Sequence, residues 1–239
     1  MKRNKFLMIY EDLKNNILSQ DLNYGDQLPS EHDLVATYNA SRETVRKALN
    51  LLERDGMIQK MRGKGSIVIF QEITEFPFTD LISFKEIKER LGLNYQTEVI
   101  VNEVVEAREY PNVQRELKIA EREELIHIQR TRRINNQVKI FDEDFFLKNV
   151  VDDISDDIAK DSIYAYLEKD LNLNISYSSK SITFEPFSSI EYEIFGNQHM
   201  PFTATVRSQV YLNDTTCFQY NISKHIATDF KFKEFSRRR

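Results

Sequence analysis

Phe6, Ile9, Tyr10, Leu13 and Ile17 recur at three- and four-residue spacings, which places them on one face of a helix. That helix is predicted to end near the turn Asn23-Tyr24-Gly25. Leu28-Pro29-Ser30-Glu31-His32-Asp33-Leu34 then carries a start signal. Ser30 can cap free backbone N–H groups and Asp33, three residues on, can reach back to it, opening a second helix that runs to about Tyr38. After the break Asn39-Ala40-Ser41, the apolar positions Val45, Ala48, Leu49 and Leu52 define a third helix. Arg42 and Arg46, four apart, share another of its faces, and Gly56 stops it. Met57 to Met61 and Ser66 to Phe70 flank Arg62-Gly63-Lys64-Gly65, which predicts a two-stranded hairpin whose turn glycines can take positive φ.

From Ser83 onward the pattern alternates between helical and strand periods. Helices are expected near 83–91, 111–120, 161–171 and 188–195. Strands are expected near 97–107, 125–134, 138–147, 175–186, 203–212 and 216–226. Arg133-Ile134-Asn135-Asn136-Gln137 and Leu212-Asn213-Asp214-Thr215 have hairpin-turn composition, so the strands they join should pair antiparallel. The fold class is therefore α+β. The expected division is a small helical domain with a hairpin over residues 1–70, a linker over 71–80 containing Pro77, and a larger antiparallel-sheet domain over 81–239.

Composition sharpens this division. The chain has 239 residues, 41% hydrophobic, with 33 Lys and Arg against 38 Asp and Glu. Seven of those cations lie between Ser41 and Lys64, where only three acids fall. A concentrated basic patch in an acidic chain points to an anionic partner for one small part of the molecule. A third helix with an apolar inner face and Arg42, Thr44, Arg46 and Lys47 outside has the chemistry of a DNA major groove. Arginine pairs bidentately with guanine, and hydroxyls and lysines hold phosphates. The fragment Gly63-Lys64-Gly65-Ser66 lacks the upstream glycine, strand and following helix of a phosphate-binding loop. No apolar run is long enough for a signal peptide or a membrane span. The single cysteine, Cys217, fits a reducing compartment as a buried strand residue, and a cytoplasmic location is expected. There is no metalloprotease, paired-cysteine or nucleophile-elbow motif, so an enzyme is not expected, and nothing calls for a metal or cofactor.

Leu28-Pro29-Ser30-Glu31 to Leu34, Ser41-Arg42-Glu43-Thr44-Val45-Arg46-Lys47-Ala48-Leu49 and Gly56 to Gly65 together resemble the winged helix-turn-helix of the GntR family of bacterial transcription regulators, over nearly all of residues 5–70. The resemblance implies operator-DNA contacts by Ser41, Arg42, Thr44, Arg46, Gly63, Lys64 and Gly65. It adds His32, where relatives commonly carry a DNA-contacting arginine.

The layout of about residues 80–235 resembles the effector-binding UTRA domain of the HutC branch, which shares its fold with chorismate lyase. Ser83-Phe84, Arg130-Thr131-Arg132 and Ser162-Ile163-Tyr164 carry that likeness. The chemistry agrees with a phosphorylated ligand. Arg130 and Arg132 leave one face of a strand, where two guanidiniums repel unless an anion sits between them, and Ser83 and Ser162 stand at predicted helix starts, which favour phosphate. Sugar recognition is implied for Asp142, with Asp144 as substitute, and for Gln219 and His225, which replace a Glu and Tyr six apart in relatives and suggest a different sugar. His127 and His199 read as structural. Asn4-Lys5-Phe6-Leu7, the two helix motifs and Phe218-Gln219-Tyr220 are most similar to the trehalose-responsive members of this branch. This implies trehalose 6-phosphate as effector, with another phosphosugar such as glucosamine 6-phosphate as the alternative. The expected partners are thus operator DNA with an inverted repeat, a sugar phosphate and a second copy of the chain, with no membrane. A lyase-like enzyme and a ligand-free architectural DNA-binding protein are the rival classes.

Overall fold

The computed structural model describes residues 4–70, 95–134 and 136–232. The expected linker, the expected helix near 83–91 and the candidates Ser83 and Phe84 lie outside the described residues. The chain divides into two compact units.

In the first unit, α1 (Lys5–Leu18), α2 (Glu31–Tyr38) and α3 (Arg42–Arg54) pack on a hairpin of β1 (Ile58–Met61) and β2 (Gly65–Val68). α1 buries Ile9, Leu13 and Ile17. It ends at Leu18, earlier than the sequence pattern implies, because Ser19 caps onto Asn15 and Ile17 and Gln20 turns left-handed at φ 63°. The Ser30–Asp33 capping box opens α2. Asn39, left-handed at φ 45°, closes it. Ser41 caps α3 through Thr44 N–H, and Val45, Ala48, Leu49 and Leu52 are buried beneath it. The valine and the two leucines each contribute about 1.5–3 kcal/mol by leaving water. Residues 25–28 run alongside the hairpin: Gln27 makes an isolated bridge to Ile67, and Leu28 N–H donates to Ser66 O at 2.8 Å. The tyrosine hydroxyls of Tyr10 and Tyr38 tie the helices together by donating to Asp55 and Asp12.

The second unit is a six-stranded, wholly antiparallel sheet with strand order β3-β4-β5-β8-β7-β6. The strands are β3 (Gln96–Glu106), β4 (Glu124–Ile134), β5 (Gln137–Leu147), β6 (Ile175–Pro186), β7 (Phe202–Leu212) and β8 (Cys217–Ile226). The two expected hairpins, β4–β5 and β7–β8, are present. One face carries α5 (Asp156–Asp161) and α6 (Ile163–Lys169) on a cluster with Ile126, Ile128, Phe146 and Val210. The other carries α4 (Pro111–Leu117) over Leu125, Phe145 and Tyr220, and α7 (Ser189–Phe195) over Phe141 and Ile226. The helix expected near 161–171 is α6, and an unexpected short helix, α5, directly precedes it. Ser162 is extended (φ −154°, ψ 104°) and caps a new helix, because its hydroxyl takes the Ala165 N–H. Cys217 is half-buried rather than fully buried.

Candidate functional site

The first unit presents its basic residues outward. Ser41 Oγ accepts from Thr44 N–H at 3.2 Å and lies 2.8 Å from Thr44 Oγ1, so both hydroxyls also organise the start of α3. Arg46 Nε donates to Glu31 Oε2 at 2.9 Å, with the arginine side chain 62% exposed, and Lys47 pairs with Glu43 one turn back. Such exposed pairs are weak, about 0–1 kcal/mol, and exchange readily for phosphate. Arg42 and Lys64 are exposed, as is His32, beside Asp33. Gly63 and Gly65 hold φ of 79° and 80° at the hairpin tip. A Cβ on Gly65 would lie 3.1 Å from Gln27 Nε2, a flexible amide end that can shift, so a side chain there is disfavoured by the positive φ. The structure thus gathers His32, Ser41, Arg42, Thr44, Arg46, Gly63, Lys64 and Gly65 in one unit, with their polar groups exposed or held only by short local contacts.

The second unit is built the other way. Along β4, Ile126, Ile128, Arg130 and Arg132 share one face by strand alternation. The first two enter the apolar cluster under α5 and α6 and the last two are buried polar residues. On β5, Asp142 stands opposite Arg130 and Asp144 opposite Ile128. The ion pairs run diagonally: Arg130 Nη2 to Asp144 Oδ2 at 2.6 Å and Arg132 Nε to Asp142 Oδ2 at 2.7 Å. The anion expected between the arginines is therefore already supplied, by two carboxylates from the next strand. Asp142 was expected as a sugar reader with Asp144 as substitute, yet both aspartates are engaged, and Asp144 is the more buried at 1% exposed. Two buried cations and two buried anions balance, as burial demands.

A row of polar side chains on β8 completes the cluster. Asn221 and Ser223 lie opposite Asp144 and Asp142. Asp144 Oδ1 accepts from Gln219 Nε2 at 2.8 Å and Asn221 Nδ2 at 2.9 Å. Gln219 Oε1 in turn accepts from Tyr164 OH at 3.0 Å. Burial, reinforced by Asp144, pushes the Tyr164 hydroxyl above its ordinary range, so it stays a donor. Ser223 Oγ donates to Asp142 Oδ1 at 2.6 Å and lies 3.0 Å from His225 Nε2. With the serine proton committed to the carboxylate, Nε2 carries the hydrogen of that contact. Burial above all, with Arg132 adding to it against Asp142, holds His225 down at about 4, so the ring is neutral. Burial alone would raise the Asp142 carboxyl, but Arg132, Arg130 and the Ser223 hydroxyl outweigh it and hold it below the usual carboxylate range.

Arg130 Nη1 also donates to Ala159 O in α5 at 3.0 Å. Its Nε is buried with no hydrogen-bond partner among the described residues, and a buried unsatisfied donor is costly enough to demand an explanation. Ser162 is spent on its cap. Sequence reasoning missed Asn221, Ser223 and the Ala159 carbonyl. The signal was present in β8, where Gln219, Asn221, Ser223 and His225 put four polar groups at every second position. His127 is structural as expected: 2% exposed, stacked on Phe145 at 4.5 Å and 2.9 Å from Glu143.

Comparison with known proteins fits this two-part construction. Residues 6–68 match the family of bacterial regulatory proteins named gntR, and residues 90–231 match the UTRA domain. The chain is 39% identical over 238 residues to the HTH-type transcriptional regulator TreR of Bacillus subtilis, covering 100% of this chain and 99% of that protein. The solved effector-binding domain of the B. subtilis trehalose repressor covers 60% of this chain and 98% of that domain, at 31% identity and a TM-score of 0.55. The B. subtilis regulator YydK shares the fold across 98% of this chain and 99% of its own, at 24% identity and a TM-score of 0.81.

Proposed function

The chain belongs to the gntR family of bacterial regulatory proteins and carries a UTRA domain, which makes it a DNA-binding transcription regulator and not an enzyme; on that premise we propose that it is a homodimeric repressor released from its operator by a sugar phosphate, with trehalose 6-phosphate as the effector. Two copies place two winged units on the half-sites of an inverted repeat, because a two-fold protein matches a two-fold operator. Arg42, Thr44 and Arg46 face the major groove, Ser41 and Lys64 hold phosphates, His32 flanks them, and Gly63 and Gly65 let the hairpin tip approach the backbone.

The observation that carries the effector reading is the pair of buried arginines on one sheet face, with Arg130 Nε unpartnered among the described residues, beside the amide and hydroxyl row of β8. A phosphoryl group competes with Asp142 and Asp144 for the guanidiniums. The carboxylates so displaced, with Gln219, Tyr164 and His225, are acceptors and donors suited to sugar hydroxyls. Ser83, Phe84 and Ser162 complete the proposed set. The disaccharide rests on the likeness to TreR. For release, the ligand must favour an arrangement that DNA disfavours; moving the balance from 99:1 to 1:99 takes about 5.5 kcal/mol of differential affinity.

The test uses a DNA fragment selected from a random library by the protein itself, followed by fluorescence anisotropy. Trehalose 6-phosphate should release the full chain, while trehalose or inorganic phosphate alone should not. Release by glucosamine 6-phosphate instead would replace the sugar assignment, and no release by any phosphosugar would remove the effector reading.

A further inference from the structure

Two rows of residues cross the sheet face that carries the buried ions, each running from an arginine to the far strand. In the first, Arg132 on β4 lies opposite Ile140 on β5, Ile140 opposite His225 on β8, His225 opposite Ala204 on β7, and Ala204 opposite Phe184 on β6. The second runs in the same way through Arg130, Asp142, Ser223, Val206 and Ile182. Both rows change character at the same place. Apart from Ile140 they are charged or hydrogen-bonding from β4 to β8, and on β7 and β6 they are apolar.

The apolar half is finished with aromatic rings. After β8 the chain makes a 3₁₀ turn over Ala227–Asp229, pinned by Lys139 Nζ donating to Asp229 Oδ2 at 2.8 Å, and this sets Phe230 against the same face. Its ring lies 5.3 Å from that of His225 and, edge-on at 85°, 6.4 Å from that of Phe184. Phe230 therefore stands between the two, level with Ala204, which is fully buried. Phe184 is 64% exposed, and Phe202, two residues before Ala204 on the same face, is 42% exposed. Toward the other end of β7 the face is closed, because Val210 and Leu212 are buried in the cluster under α5 and α6. Aromatic surface thus prolongs the polar cluster in one direction only.

We propose that Phe230 and Phe184 form a second sugar subsite, an aromatic platform for the hexose ring remote from the phosphate, which selects a disaccharide phosphate over a monosaccharide phosphate. This rests on the effector reading above and assigns its specificity. Neighbouring strands are about 4.8 Å apart, so His225 stands about 10 Å from Arg132 and Phe184 about 10 Å beyond His225. A hexose phosphate held at the arginines fills the first interval. A second ring, about as wide as one strand spacing, passes His225 and meets Phe230. A pyranose ring is polar round its rim, where hydroxyls project, and apolar on its faces, where C–H groups project. Flat aromatic side chains complement such a face, as a few placed hydrogen-bonding groups complement a rim. Exposed aromatic surface continuous with a polar site is the mark of a binding surface.

The experiment titrates the full chain in a calorimeter with trehalose 6-phosphate and with glucose 6-phosphate, which carries the same phosphorylated ring and lacks the second. The wild type should bind the disaccharide about tenfold more tightly, the scale of one aromatic stacking contact. Phe184→Ala and Phe230→Leu should bring the two affinities together while leaving that for glucose 6-phosphate unchanged. Phe230→Tyr keeps the flat ring and should keep the difference. Phe184 is exposed, so its truncation tests the platform without relying on the folding of the Phe230 variants. Equal affinities in the wild type, or a difference that survives both Phe184→Ala and Phe230→Leu, overturns the platform and leaves the effector reading standing. Variants that become monomeric with the difference intact would make these rings a contact between copies, which overturns it too. No heat with either sugar phosphate overturns both.

Discussion

The two units solve opposite problems with the same residue types. In the first, the cations Arg42, Arg46 and Lys64 are exposed, and Arg46 has only a surface carboxylate for company. In the second, Arg130 and Arg132 are 8% and 4% exposed and each is locked to an aspartate. Exposed cations cost the fold almost nothing and wait for a polyanion. Buried cations must be neutralised before any ligand arrives, so a ligand there has to exchange one set of contacts for another. That exchange is what can couple binding to rearrangement, because only a difference in contacts between two states shifts their balance.

The largest effect that could break this contrast belongs to Asp144. Replacing it by alanine leaves Arg130 buried without its carboxylate and removes the acceptor of Gln219 and Asn221, so the second unit should lose about 3–5 kcal/mol of stability in urea denaturation followed by circular dichroism. A loss under about 1 kcal/mol would place these arginines with the solvated, weakly held kind.

Next comes the pH response of His225. Its folded value of about 4 lies below the ordinary value of about 6.5, so between the two the unfolded chain binds more protons and stability rises with pH. Stability should therefore fall by about 3 kcal/mol as pH drops from 6.5 to 4. His225→Gln should flatten that slope. Asp142, held low, gives stability that is lost only below the ordinary carboxylate value, so it lies beneath the histidine window. An unchanged slope in the glutamine variant would mean that the ring is solvated and titrates normally.

The smallest expected effect sits in the first unit. Arg46→Ala should weaken operator binding by about 1–3 kcal/mol if the guanidinium reads a base, while the melting of the free protein stays within the about 0–1 kcal/mol of an exposed pair. Wild-type DNA affinity would show that another face of α3 enters the groove.

The helix starts at Ser30 and Ser41 and the tip glycines were legible in the sequence because caps and positive φ are decided within a few residues. Strand periodicity was equally local, so six strands and two hairpins were found within a residue or so of their ends. The helix start at Ser162 was legible for the same reason, while the short helix before it, Asp156–Asp161, was missed because it offers only two apolar positions, Ile158 and Ala159. The early end of α1 was missed because Leu22 and Tyr24 prolong the apolar pattern past the true stop.

By itself, then, the sequence determined which residues could be exposed cations and which shared a strand face, since both follow from neighbours at fixed spacing. Only the tertiary structure decided that Arg132 meets Asp142, Arg130 meets Asp144, and both aspartates meet β8 from about 75–81 residues away. Those partners are chosen by strand order and register, and burial, which makes neutralisation obligatory, exists only once the sheet and its helices have closed over them.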